Sequence, residues 1–597
     1  MRAVYGAWLS MYVAYASCVT ASALGLRPLG GPIFPWFAAL LGVVAGGLLA
    51  VRKRAWPECA NHSGSAQVSP SVDRVASVPV AALGVLAALT LGAMAVLAAL
   101  APVGAYDAIG YRLPAVAQWL DVGAVAWVPG DDMLRNGYPL ALEVLEAELG
   151  AATGSLGGVE VLGVVFLALG ALALGIEARA LGASQAGATI GAALFALVPM
   201  HVLNAPSGYA DAPFSAALVT LLFAAARFAR GDADLALRVL LGVSAGFTIA
   251  LKPPGIAFSA IVVGLASLLR RRQTGLAETT RALVVPLCVI VPGLFFLVRN
   301  VVITHNPLYP LEVRAFGRVI FPGEGSLDGI LTPDANVPKV LRALPRLLRT
   351  PSVWLQLHGP ARAFDERLAG LGYAFPAAAL PALVAVFWLA LQRRKALRGL
   401  GFITLCSVVL FAIQPFSFWP RFTTWLWGAG AYAIVLGFDA LSSKRARLAS
   451  LLVALLALAV GSEAIYALNH VKYVGLLGRG LWQGDSAQRL AAASGVSADF
   501  VRTSLAGRAH VCRTGWTDGT DDANLDGIVA QLEPRPHMHV VLATAWPEAL
   551  EQMQRFGCTE LIAIGQSPLR GGLPDSVRVR PARAFGFVDV IGPLDPR

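Results

Sequence analysis

Long apolar runs recur through the first 470 residues, divided by short polar segments rich in Arg and Lys, and then the pattern changes. A membrane-spanning helix needs about 20 consecutive apolar residues. About thirteen runs approach that length, at 4–25, 33–51, 77–101, 159–178, 186–204, 209–227, 236–251, 254–269, 282–302, 372–391, 399–416, 423–440 and 448–467. The pattern predicts an all-α polytopic membrane protein. Beyond residue 470, polar helical patterns (Asp485–Leu505, Pro547–Phe556) alternate with apolar runs at His539–Ala543 and Leu561–Gly565 that read as strands. The expected division is a transmembrane domain over 1–469 and a small α/β domain over 470–597.

The polar segments orient the runs. Arg52-Lys53-Arg54, Arg179, Arg227 with Arg230, Arg270-Arg271-Arg272, Arg393-Arg394-Lys395 and Lys444-Arg445 with Arg447 each follow an even-numbered run. Basic loops stay in the cytoplasm, so the N-terminus is expected inside, and the loops 102–158 and 303–371 and the C-terminal domain outside. Ala21-Ser22-Ala23 resembles a signal-cleavage site, but the preceding charged region is only Met1-Arg2 and no soluble domain follows, so the first run reads as a retained span.

Composition agrees with this picture. The chain is 56% hydrophobic and only 14% charged, where a soluble domain carries about a quarter charged residues. Its net charge of +11 is accounted for by the cytoplasmic loops. No basic, aromatic-interleaved module is present, which excludes a nucleic-acid partner. The Ala-rich, Lys-poor composition is compatible with a GC-rich bacterium, and the expected location is its inner membrane. Cys18, Cys59, Cys288 and Cys406 are scattered without ligand spacing. Cys512 and Cys558 share the tail and are free to pair if it is extracytoplasmic.

Set against this topology, the unusual polar residues gather at the outer face. Asp107 follows the third run, and Tyr111 and Arg112 come just after it. Past Pro114, the pattern of Val116, Trp119 and Leu120 predicts a short interfacial helix with Trp119 as a headgroup anchor. Asp211 lies between the fifth and sixth runs, Lys252 in the turn Leu251-Lys252-Pro253-Pro254-Gly255, Arg299 at the end of the ninth run, and Arg421 between the eleventh and twelfth. Ionisable groups at apolar depth are costly and tend to be paired or functional. Each also has a plainer reading. Asp107 and Asp211 are suited to capping helices, and Lys252 and Arg421 to snorkelling toward lipid phosphates. Asp131-Asp132 reads as a solvated turn after Pro129-Gly130, with no His or further acid at ligand spacing, so no metal-ligand set is read. His305 reads as loop structure.

The combination resembles a family. Tyr106-Asp107-Ala108-Ile109-Gly110-Tyr111-Arg112-Leu113-Pro114 is similar to the first-loop signature of the GT-C glycosyltransferases, the superfamily of protein mannosyltransferases and lipid A aminoarabinose transferases. Asn136-Gly137-Tyr138-Pro139, Tyr209-Ala210-Asp211, and Arg299-Asn300 running into Asn306-Pro307-Leu308-Tyr309-Pro310 are similar to segments of its bacterial members. The resemblance covers roughly residues 77–440, and departs from the family form at Arg112, where His is expected. It implies a polyprenyl phosphate-linked sugar donor at the outer leaflet and a lipid, glycan or protein acceptor. Asp107 matches the proposed general base, and a carboxylate at a partly desolvated membrane edge is a stronger base than one in water. Lys252, Arg299 and Arg421 become candidates for the leaving phosphate, and Asp211 for orienting the acceptor or a cation. Tyr111, Arg112 and Tyr138 are further candidate substrate contacts. No cofactor follows from the residues, and a need for a divalent cation stays open. Arg342, Arg346 and Arg349 share one helical face in the loop 303–371, placed to close over the site or to meet anionic lipid. Two other readings stand beside this one: a transporter or flippase of lipid-linked intermediates, and a non-catalytic membrane receptor or assembly protein. Charge at helix ends and the lack of an inverted repeat count against transport. For the non-catalytic protein, Asp107 and Asp211 would tolerate Asn.

Overall fold

The computed structural model describes residues 1–51, 70–103, 105, 107–127, 133–315, 317–323, 325–326, 370–391, 398–414, 417, 419–470, 488–490, 501–505, 510–514, 529–532, 537–541, 545–558, 560–564, 579–583 and 587–591. Asp131-Asp132 and Arg342, Arg346 and Arg349 lie outside the described residues.

Helices α1 (Arg2–Ala23) and α2 (Ile33–Val51) form a hairpin, and α3 (Pro70–Leu100) leads to a π-helical turn at Ala108–Arg112. Short helices α4 (Leu113–Val122), α5 (Met133–Gly137) and α6 (Ala141–Thr153) precede α7 (Val161–Ala180), α8 (Gln185–Ala196), α9 (Pro199–Asn204) and α10 (Asp211–Ala229). Then follow α11 (Leu235–Leu251), α12 (Gly255–Thr274), α13 (Leu276–Ile290) and α14 (Phe295–Thr304). A small sheet is built from β1 (Leu311–Ala315), β2 (Arg318–Phe321) and β3 (Gly325–Ser326), in the order β2-β1-β3. Beyond it come α15 (Leu380–Leu391), α16 (Arg398–Ile413), α17 (Leu426–Ser442) and α18 (Ala446–His470).

Among the described residues, five helical stretches are long and apolar enough to cross a bilayer, and six if α8 and the segment from Pro199 to Ser207 count as one span bent by 54°. Pro199 sits at that bend, where its ring cannot fit the helix continuing from α8. The run expected at 186–204 is therefore a broken helix. Several other expected runs, such as Ile33–Leu49 and Leu426–Ser442, are shorter apolar helices. Exposed Leu and Val side chains on α2, α3, α13 and α18, among them Leu40, Leu89, Leu287 and Leu455, form outward apolar faces suited to lipid.

Helix α10 is the axis of the bundle: every residue from Asp211 to Ala229 is buried. Its many Ala side chains let α7, α11, α12 and α16 pack closely around it. Its ends are polar. At the far end Arg227 is buried against Glu177 (3.3 Å), Asp232 (3.0 Å) and Asp234 (3.4 Å), so one of the cations expected in a basic loop is an internal ion-pair partner. Asp211 is the first residue at the other end.

The expected interfacial helix forms as α4, but Trp119 is no headgroup anchor. Its ring is fully buried, its Nε1 donates to the Ala126 carbonyl at 2.9 Å, and Phe296 of α14 lies beside it. The amphipathic pattern faces protein here, because α14 and α6 cover the side that the sequence leaves open to lipid.

In the tail, β4 (His510–Thr514), β5 (His537–Val541), β6 (Leu561–Ile564), β7 (Val579–Arg583) and β8 (Phe587–Ile591) form a mixed sheet in the order β5-β4-β6-β8-β7. Helix α19 (Trp546–Phe556) buries Trp546, Ala549 and Met553 against it. Cys512 of β4 and Cys558, just after α19, form a disulfide across a sequence separation of 46 residues. Replacing both with Ser should cost the tail about 2–5 kcal/mol, seen as earlier exchange of the β4–β6 amides with helix α10 unaffected.

Candidate active site

Four chain segments meet where α10 begins. The π-helical turn carries Asp107 into the cluster. The segment before α10 turns at Gly208, whose φ of +73° is a left-handed value that favours glycine. The turn between α11 and α12 closes at Gly255, where a Cβ would lie 1.7 Å from the Thr248 carbonyl oxygen. That close approach, with Pro253 and Pro254, holds Lys252 in extended backbone at the end of α11. A 3-10 turn at Pro420–Thr423 delivers Arg421.

The plainer readings of these residues do not describe them. Neither carboxylate caps a helix through its side chain. Asp107 Oδ2 instead accepts from Arg421 Nη1 at 3.0 Å, with the two side chains 16% and 8% exposed. Asp211 pairs with Lys252, at 2% and 12%. Lys252 and Arg421 thus turn inward to carboxylates and do not snorkel. One ring joins the two pairs: the Phe422 centroid lies 4.4 Å from Lys252 Nζ and 4.6 Å from the Arg421 guanidinium carbon. Tyr209 and Trp419 flank the same guanidinium at 5.4 and 5.3 Å, and aromatic faces stabilise cations held out of water.

Arg112 forms a third pair, with Glu143 of α6, and its guanidinium lies 5.3 Å from the Tyr111 ring, which meets Tyr138 edge-on at 5.9 Å. Burial opposes charge on Arg112, and the groups around it, Glu143 first and then Tyr111, Asp107 and Asp211, together outweigh it, so the guanidinium stays charged. Burial pushes the Tyr111 phenol well above its ordinary range, so it stays neutral.

Asp107, Asp211, Tyr111, Arg112, Tyr138, Lys252 and Arg421 are thus brought together. Arg299 is placed differently. It donates to the Asn136 carbonyl and lies between the rings of Phe296 (4.9 Å) and Trp127 (5.5 Å). Asn300 beside it donates to the Gly137 carbonyl at 3.0 Å. Asn306 donates to the Leu311 and Pro322 carbonyls, both at 2.8 Å. These family-like segments brace one another, with Arg299 in the brace. His305 ends α14 with a left-handed φ of 58°, a structural position.

Sequence reasoning passed over the acids of α6. Glu143, Glu146 and Glu148 are buried, as is Glu160 ahead of α7. The available signal was three acids set among Leu, Val and Ala in an otherwise apolar 141–149. Burial, then the Glu143 and Glu160 charges, raises Glu146 well above the usual carboxyl range. Burial also pushes Glu148 from 4.5 up to about 8. A carboxyl raised in the folded state adds stability that is full below pH 4.5 and is lost as pH climbs through about 8. Stability of the detergent-solubilised protein, read by melting, should therefore fall across that window by on the order of 1 kcal/mol per pH unit for Glu148. Glu148→Gln should flatten its share of the slope.

Among the described residues no group of three or more His, Cys, Asp or Glu side chains is placed to hold a metal ion. Asp107 and Asp211 each face a cation, so these residues do not form a carboxylate cradle for a divalent cation.

No family model and no curated protein matches the chain. Solved structures do. ArnT from Cupriavidus metallidurans in the apo state is 15% identical with a TM-score of 0.50, over 85% of this chain and 97% of that one. The same protein bound to undecaprenyl phosphate is 12% identical with a TM-score of 0.48, over 86% and 98%. The Archaeoglobus fulgidus oligosaccharyltransferase in the apo form is 13% identical with a TM-score of 0.38, over 80% and 69%. At these identities the likeness is one of fold: the chain shares the fold of apo ArnT.

Proposed function

We propose that this chain is an integral membrane glycosyltransferase that moves a sugar from a polyprenyl phosphate donor to an acceptor at the extracytoplasmic face of a bacterial inner membrane. One observation carries the reading: two acid–cation pairs, Asp107–Arg421 and Asp211–Lys252, share the Phe422 ring at the head of the central helix. The GT-C-like fold supports it. So does the distribution of basic loops, on which we read this end of the bundle as outside and residues 470–597 as an extracytoplasmic domain.

The chemistry asks for a base and an anion site a short distance apart. Asp107 takes the acceptor proton as the acceptor oxygen bonds to the anomeric carbon. The bond from that carbon to the phosphate oxygen breaks, and its electron pair leaves on the polyprenyl phosphate. Lys252 and Arg421 meet that charge, and the planar fork of Arg421 suits two phosphate oxygens. Before the donor arrives, each cation is held by its carboxylate. A donor phosphate competing for Arg421 releases Asp107 to act as base, which couples donor binding to base activation. Asp211, deeper than Asp107, orients Lys252. Arg112, tethered by Glu143, supplies further positive potential. Arg299, in its brace, is a positioning residue in this scheme.

Membranes containing the chain, given a panel of radiolabelled polyprenyl phosphate sugars and a membrane extract as acceptor, should consume one donor and label the acceptor. Transbilayer movement of a donor in liposomes, with no consumption of any, would overturn transfer in favour of transport.

A further inference from the structure

The tail contacts the bundle at Val103, four residues before Asp107. Gln531 Oε1 accepts from the Val103 backbone N–H at 2.7 Å, and Gln531 Nε2 donates to the Val103 carbonyl at 3.1 Å. One side-chain amide thus satisfies both backbone groups of one residue, as a neighbouring strand would, and fixes the plane of that backbone. The neighbours seat it: Val529, Ala530 and Leu532 are buried, and Ala530 packs into the same apolar core as the bundle helices.

Val103 matters because of what it touches. It lies four residues before Asp107. A Cβ on Gly208, three residues before Asp211, would meet Ala108 Cβ at 3.0 Å, Glu160 Cγ at 3.5 Å and Val103 Cγ1 at 3.7 Å. Val103 and Ala108, on either side of Asp107, thus both pack beside Gly208, and Gln531 holds the Val103 backbone there. No other part of the proposed chemistry uses Gln531.

We infer that the 529–532 segment of the tail is a positioning element for the Asp107 loop, acting through the clamp of Gln531 on Val103. The inference rests on the proposed transferase reading for its catalytic consequence and on geometry alone for its structural one. The tail then takes part in the site by holding the base in register with Arg421, whatever else it does.

The test uses the full-length protein in detergent. Gln531→Ala should raise hydrogen exchange in peptides spanning 103–112 by about tenfold, as expected for losing two hydrogen bonds of ordinary strength. It should lower kcat for donor turnover by a similar factor while the donor KM holds, because the Lys252–Asp211 pair is untouched. Gln531→Glu, which sets a carboxylate oxygen against the Val103 carbonyl in place of the amide donor, should raise exchange at least as much as Gln531→Ala. Met553→Ala loosens the tail's own core without touching Val103, and should leave both readouts near wild type. Unchanged exchange at 103–112 in Gln531→Ala, or an equal rise in Met553→Ala, overturns the inference. If the wild type turns over no donor, the transferase reading fails, and the exchange comparison still decides whether the tail holds the loop.

Discussion

Asp107→Asn is expected to lower donor turnover by about 10²–10⁴-fold, the usual contribution of a positioned general base, with the protein still folded. Asn has the shape of Asp and its carbonyl can still accept from Arg421 Nη1, so the 3.0 Å contact has a neutral substitute. The side chain is 16% exposed, so water offsets part of the lost ion pair and the stability cost is small. The donor should bind as well as before or better, because removing one carboxylate leaves Arg421, Lys252 and Arg112 facing less negative charge. The predicted signature is a collapse of kcat with a donor KM that is unchanged or lower, measured on purified protein at matched melting temperature. A raised KM with kcat intact would instead make Asp107 a binding residue and remove it as the base.

Asp211→Asn should act mainly on the fold. The Asp211 carboxylate is 2% exposed and Lys252 12%, so its loss leaves an ammonium out of water with the rings of Phe422 and Phe214, at 4.4 and 5.9 Å, to face it. Removing one partner of a buried pair costs about 3–5 kcal/mol, and a stranded ammonium sheds its proton where it can. The expected result is a large drop in melting temperature and loss of the cation that would meet the donor phosphate. Joining Asp211→Leu to Lys252→Met separates the two effects. Apolar replacements of a buried pair are often neutral for stability, so melting should recover most of the loss while turnover stays absent. Wild-type melting in the single Asn variant would show that the pair does not hold the head of α10. Recovery of turnover in the double variant would remove Lys252 from the chemistry.

Some of this was legible in the residues. Hydropathy says where a helix can run, because a bilayer demands apolar length. It also says at which end a polar residue falls. Asp107, Asp211, Lys252 and Arg421 each lie at the end of an apolar run, and alternate ends of successive runs must share a face. Their convergence therefore followed from the order of the chain. The tail's β5, β6 and α19 were visible in the same way, from period and composition.

What the one-dimensional pattern leaves open is who neighbours whom around the bundle. Asp107 and Arg421 are 314 positions apart, and nothing in either segment names the other; the packing of helices around α10 does. The same packing buries Trp119 under α14, puts Arg299 into a brace, seats Glu143 of α6 against Arg112, and brings Gln531 to Val103. Amphipathic spacing marks a face that must be covered and is silent on whether lipid or protein covers it. The sequence by itself determined a helical membrane protein and the positions along each apolar run at which charged residues fall. Only the tertiary structure decided which acid holds which cation, because those pairings depend on contacts between helices distant in the chain.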